Sequence, residues 1–206
     1  MTKLILIRHC QAEGNLQRFF QGKIDSDITP KGRAQTAAAA EILSAEPIDI
    51  FYTSSLLRAR KSTEGINVYH EVPVKIDDRL AEIDAGKWEG KFLTDIEKEF
   101  PEAYDKWKND PANFAAPGGE TMAQVYDRVS AALRDIIAEN DGKTVCIVSH
   151  GCAIVNMMCY LHGWPLSAIG KIPLGTNMSI NVVRAENGKP AQIIMENYTD
   201  HLDLIK

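Results

Sequence analysis

The stretch KLILIRHC, residues 3 to 10, runs four apolar residues, Leu4 to Ile7, straight into Arg8, His9 and Cys10. A short apolar run rich in branched side chains, without polar alternation, reads as a strand buried on both faces of a sheet. Two further runs share that character, IDIFYT at residues 48–53 and TVCIVS at residues 144–149. Helical stretches lie between them. Residues 29–46 open with Thr29 as an N-cap and Pro30 at the first helical position, continue through good helix formers, and are expected to stop at Pro47. Residues 119–142 place Met122, Val125, Val129, Leu133 and Ile136 on one helical face and end at Gly142. Strands alternating with helices in this way predict an α/β fold, a three-layer α/β/α arrangement around a mostly parallel central sheet.

The remainder fills in around that frame. A helix is expected after Gly151, and residues 178–198 read as two strands around the turn Glu186-Asn187-Gly188, antiparallel at the sheet edge. Residues 68–118 are less regular. Their segment KNDPANFAAPGG, rich in Pro, Gly and Asn, reads as a small helical and loop cap or rim rather than a linker, so residues 1–206 are expected to form a single domain.

With 206 residues, 45% of them hydrophobic, the chain is long and apolar enough to bury a full core. Its formal charge of -5 gives no broad positive field, so neither nucleic acid nor a membrane surface is expected as a partner, and any anion chemistry must be local. The apolar run before Arg8 is too brief for a signal sequence, and no run is long enough to span a bilayer. Cys10, Cys146, Cys152 and Cys159 show no paired CxxC spacing, which points to reduced thiols and a cytoplasmic location.

In open α/β sheets, ligands sit beyond the carboxyl ends of the strands. The residues that follow the three buried runs should therefore converge. The first run delivers Arg8 and His9, the second leads through TSSLLRA to Arg58, and the third delivers His150 and Gly151. Two imidazoles flanked by two guanidiniums make a pocket suited to a dianion, because the planar guanidinium fork matches phosphate oxygens. Phosphoryl transfer fits best, with His9 as nucleophile and His150 as electrostatic stabiliser. A leaving alkoxide needs a proton, and a carboxyl group beside a bound dianion can supply one. Glu82 is the first candidate, with Asp84 and Glu89 as rivals. Cys10 could in principle be the nucleophile, but no arginine follows any of the four cysteines at the spacing of a Cys-x5-Arg loop. No P-loop, dinucleotide or zinc motif is found, and His70, His162 and His201 read as structural.

Taken in order, Arg8-His9, Asn15, Thr29-Pro30-Lys31-Gly32 with Gln35, YTSSLLRARKSTE around Arg58, LAEIDAGKWEG around Glu82, PGGET and VSHG resemble the histidine phosphatase superfamily, the phosphoglycerate mutase-like proteins. The resemblance implies a phosphohistidine on His9, a phosphate pocket of Arg8, Arg58 and His150, a proton donor at Glu82, and no metal or other cofactor. It also implies that Asn15, Gln21, Gly22 and Gly151 contact substrate. LAEIDAGKWEG resembles the phosphatase branch, so a small phosphorylated metabolite is the expected partner, and substrate choice is assigned to residues 91–118. The alternatives are a cofactor-dependent phosphoglycerate mutase and a catalytically silent binder of a phosphorylated ligand. The second is motivated by Cys10 and Ala12, which stand where the family usually has Gly and then Thr or Ser. A homodimer is possible through an edge strand or the C-terminal segment.

Overall fold

A computed structural model of the chain describes residues 1–203 and 205. Strands β1 (Thr2–Arg8), β2 (Ile50–Thr53), β3 (Val74–Ile76), β4 (Thr144–Ser149), β5 (Ile180–Ala185) and β6 (Gln192–Tyr198) form one sheet in the order β3-β2-β4-β1-β5-β6. The pairs β1–β4, β2–β4 and β2–β3 are parallel, whereas β1–β5 and β5–β6 are antiparallel. The expected mostly parallel sheet with an antiparallel edge is what the chain forms.

Alternation along the strands builds the two cores. Leu4, Leu6, Tyr52, Val145 and Ile147 face α6 (Met122–Glu139) and α7 (Gly151–Leu161). Ile5, Ile7, Phe51, Cys146 and Val148 face α2 (Pro30–Leu43) and α3 (Leu57–Asn67), which contribute Ala39, Leu43, Ala59 and Ile66. The continuous apolar runs read in the sequence are therefore strands covered by helices on both sides. Met122, Val125, Val129, Leu133 and Ile136 all lie buried on the inner face of α6.

Helix ends follow local chemistry. Thr29 Oγ1 accepts from Gly32 N at 3.0 Å and Pro30 opens α2, as expected. The helix ends at Leu43 rather than at Pro47, because Ser44 Oγ turns back to Glu41 O at 2.7 Å and the following turn leads directly into β2. Thr121 and Gln124 form a reciprocal capping box at the start of α6, so the threonine of PGGET serves the helix.

The segment between residues 68 and 118 is more ordered than its sequence suggests. It holds β3 at the sheet edge, then α4 (Leu93–Glu99) and α5 (Pro101–Asn109). With the short α1 (Glu13–Gln17), these helices stand over the carboxyl ends of the parallel strands.

Candidate active site

Register places the two histidines. β1 pairs with β4 so that Arg8 lies opposite Ser149, and His9 N donates to Ser149 O at 2.8 Å, which sets His9 beside His150. Their ring centroids are 5.0 Å apart. Thr53 lies opposite Val148 on β2, and the chain then reaches Arg58 in the first turn of α3.

His9 is 2% exposed, and its ring is fixed at both nitrogens. Nδ1 lies 2.6 Å from Cys10 O, a carbonyl that can only accept, so Nδ1 carries the proton. Nε2 is thereby left with its lone pair and accepts from Arg58 Nε at 3.2 Å. Burial, and after it the charges of Arg58 and Arg8, hold this imidazole well below the ordinary 6.5 and keep it neutral. A neutral imidazole whose Nε2 lone pair lies beside two cations has the chemistry a nucleophile requires.

Arg58 is 1% exposed. Its Nη1 donates to Ile24 O at 2.8 Å and its Nη2 to Gly22 O at 2.7 Å, so the guanidinium is aligned by backbone on two edges. Gly22 permits this approach through a left-handed φ of 47°. Arg8 Nη1 donates to Gly175 O at 2.5 Å, while its Nε is buried without a partner among the described residues. A side chain at position 151 would press on that guanidinium and on Leu174, which explains Gly151. Asn15 Oδ1 accepts from Ala12 N at 3.0 Å and from Asn177 Nδ2 at 3.3 Å, an arrangement that turns its amide NH2 toward the cavity.

His150 is placed next to His9, as the strand register requires. It is fully buried and lies behind His9, outside the cavity wall. Burial first, then Arg58, His9 and Arg8, hold it well below 6.5. Ser54 Oγ accepts from Leu56 N at 3.2 Å and lies 2.7 Å from His150 Nε2, to which it can give its own proton. Nδ1–H is then a buried donor without a partner among the described residues.

Glu82 lines the cavity. Its carboxylate accepts from Ile83 N at 3.0 Å, from Cys152 N at 3.2 Å and from Ala153 N at 3.3 Å, the last two being free N–H groups at the start of α7. The two rivals are engaged elsewhere. Glu89 accepts from Lys23 N, Ile24 N and Ala85 N and so closes the turn that carries Gly22, while Asp84 caps Gly86 N and faces Lys23 at 3.6 Å.

Cys10 is fully buried toward α2, away from the cavity, and burial pushes its thiol up rather than down. Its backbone has no left-handed φ, so nothing in this position demands glycine. Ala12 is likewise buried outside the cavity wall.

The cavity measures about 340 Å³. It brings together Arg8, His9, Asn15, Gln21, Gly22, Arg58, Glu82 and Gly151 of the residues read from sequence. It adds others that the sequence reading missed: Arg18, Phe19, Phe20, Leu93, Cys152 and Leu174, with Trp107 as a wall. Phe20 and Trp107 meet edge to face at 5.3 Å, and Trp107 meets Phe114 at 4.9 Å, so the apolar wall is rooted in an aromatic cluster. Arg18 reaches the rim because it ends α1 in a left-handed conformation, φ 63°. Among the described residues no cluster of three or more His, Cys, Asp or Glu could hold a metal ion, and no helix is long and apolar enough to cross a membrane.

Two parallel strands ending side by side in histidines, with arginines converging from three elements, define an α/β protein with a cationic pocket against an imidazole. Residues 4–197 match the family model of the histidine phosphatase superfamily (branch 1), and the chain belongs to that superfamily. It is 33% identical over 202 residues to phosphoserine phosphatase 1 of Hydrogenobacter thermophilus, covering 98% of this chain and 95% of that one. Among solved structures it is similar to YhfR of Bacillus stearothermophilus, with a TM-score of 0.93, 30% identity, and coverage of 98% of this chain and 100% of that one. It is also similar to a histidine-to-alanine mutant of phosphoserine phosphatase from Entamoeba histolytica in complex with phosphoserine, with a TM-score of 0.85, 28% identity, and coverage of 98% and 100%.

Proposed function

We propose that this chain is a phosphatase that hydrolyses a small phosphomonoester in two steps through phospho-His9, without a metal ion. The observation that carries the reading is the fixed tautomer of His9, its Nδ1–H spent on Cys10 O and its Nε2 lone pair held beside Arg58. In the first step Nε2 attacks phosphorus, the ester P–O bond breaks, and the carboxyl of Glu82 gives its proton to the departing oxygen. In the second step water attacks the phosphohistidine, its proton passes to Glu82, the P–N bond breaks, and inorganic phosphate leaves. Arg8, Arg58 and the Asn15 amide spread over the phosphoryl oxygens and supply the charge neutralisation that other phosphoryl-transfer sites take from a cation.

The leaving group in this reading is a small hydroxy compound carrying a carboxylate. The mouth of the cavity is lined by the apolar side chains Phe19, Leu93, Trp107 and Leu174, with Arg18 as a further cation on its rim. Two of the similar proteins are named for phosphoserine, which has that chemistry. Four buried free thiols accord with a reducing, cytoplasmic setting.

The test is hydrolysis of phosphoserine and of an aryl phosphate in EDTA by the wild type and by His9→Ala. Turnover that survives the chelator and is lost in the variant supports the reading. Binding of phosphate without turnover in the wild type would favour a silent binder, and transfer to an acceptor acid in place of water would favour a mutase.

A further inference from the structure

Four successive carbonyls lead up to and include the residue that carries the proposed acid, and every one is held by a side chain from elsewhere. Arg128, on α6, donates through Nη1 to Arg79 O at 2.8 Å and to Ala81 O at 2.7 Å, and through Nη2 to Glu82 O at 3.0 Å. Ser149 Oγ, at the end of β4, donates to Leu80 O at 2.7 Å. The same guanidinium is paired with Glu120 at both oxygens, Nε to Oε1 at 2.8 Å and Nη2 to Oε2 at 3.0 Å. Glu120 Oε2 in turn accepts from Asp84 N at 2.8 Å, on the far side of Glu82. Both side chains of the pair are largely buried, at 18% and 19% exposure.

Neither member of the pair lines the cavity. A carboxyl group that must meet a leaving oxygen needs its backbone fixed, because the side chain of glutamate has three rotatable bonds and the loop that bears it has no ladder partner. An arginine fork filled on both sides by backbone carbonyls and a carboxylate provides that rigidity. We propose that Arg128, locked by Glu120, is the positioning residue for proton transfer by Glu82, so that the pair sets the rate of the protonated step without contacting the reactants. The inference rests on the reading of Glu82 as the proton donor.

The experiment measures the rate of phosphoryl transfer to the protein with two substrates, phosphoserine, whose alkoxide needs a proton, and p-nitrophenyl phosphate, whose phenolate leaves without one. Wild type, Glu82→Gln, Arg128→Lys, Glu120→Gln and the double variant Glu82→Gln/Arg128→Lys are compared, with thermal unfolding of each to establish that it is folded. Glu120→Gln keeps the arginine in place and serves if Arg128→Lys does not fold. The expected result is a loss of about 10²-fold or more for Glu82→Gln on phosphoserine and little loss on the aryl ester. Arg128→Lys and Glu120→Gln are expected to lose about 10-fold to 100-fold on phosphoserine alone, the range for a catalytic group displaced by an ångström or less. The double variant should be no slower than Glu82→Gln. Equal losses on both substrates in Arg128→Lys or Glu120→Gln, or additive losses in the double variant, would overturn the positioning role and leave Glu82 as the acid. Equal losses on both substrates in Glu82→Gln itself would instead remove the acid reading on which the inference rests.

Discussion

Arg58 is tied to three different groups, His9 Nε2, Gly22 O and Ile24 O, so its charge and its shape have separable roles. Lysine keeps the charge and has three donors, but lacks the planar fork that meets all three groups and leaves further N–H groups for a phosphoryl oxygen. Arg58→Lys is expected to lower kcat/KM by about 10²-fold to 10³-fold, the cost of removing one oriented donor from a developing charge. Steady-state kinetics on phosphoserine check it, and a variant within a factor of about two of wild type would mean that the guanidinium fork is not used. Arg18, on the cavity rim, faces the leaving-group end in the proposed reading. Arg18→Gln is expected to raise KM for phosphoserine by about 10-fold, the worth of one charged hydrogen bond on a solvated rim, and to leave an uncharged aryl leaving group unaffected. Equal effects on both substrates would place Arg18 outside leaving-group recognition.

The parallel strands were legible in the sequence because burial on both faces leaves a continuous apolar run, and the two histidines were legible because each follows such a run directly. β3 was not, since Val74, Lys75 and Ile76 are all exposed at the sheet edge and carry no burial pattern. The helices α4 and α5 were hidden for a related reason. Only Ile96 of α4 is fully buried, and α5 packs through the half-buried Ala103, Tyr104 and Trp107, a face spread over only nine residues, yet Leu93 and Trp107 from these helices wall the cavity. Arg18 was missed because its place on the rim depends on a left-handed helix end with no glycine to signal it. The full burial of His150, and with it the lowering of its pKa, follows from packing that no motif encodes. At this scale the turn carrying Gly22 is the sensitive link between an element and the chemistry. A methyl group there would collide with the Glu89 carboxylate at a left-handed φ, and the turn presents the two carbonyls that align Arg58. Gly22→Ala is expected to cost about 1–3 kcal/mol in stability and to lower kcat as well, read by denaturant unfolding alongside kinetics. Unchanged stability and kcat would show that the turn adapts without moving Arg58.

For the molecule as a whole, the buried histidine pair couples folding to pH. In the unfolded chain both imidazoles titrate near 6.5, whereas burial, reinforced by the arginines, holds them well below that in the folded chain. The unfolded state therefore binds more protons between the two values, and stability is fully present above the unfolded value and falls as pH drops through it. Each histidine contributes a slope of about 1.4 kcal/mol per pH unit in that window, down to its folded value. Chemical denaturation across mildly acid pH should show this fall, and His150→Gln should show a shallower one; equal slopes would mean that His150 is protonated in the folded chain. The same depressed imidazole of His9 is the basis of the proposed chemistry, and the most direct test is of the bond it forms. Wild type mixed with phosphoserine labelled in its phosphoryl group, quenched within a turnover in alkali and digested, should carry an acid-labile, alkali-stable phosphate on the peptide that contains His9, and His9→Ala should carry none. Label on another residue, or turnover with no phosphoprotein at any quench time, would contradict the two-step mechanism.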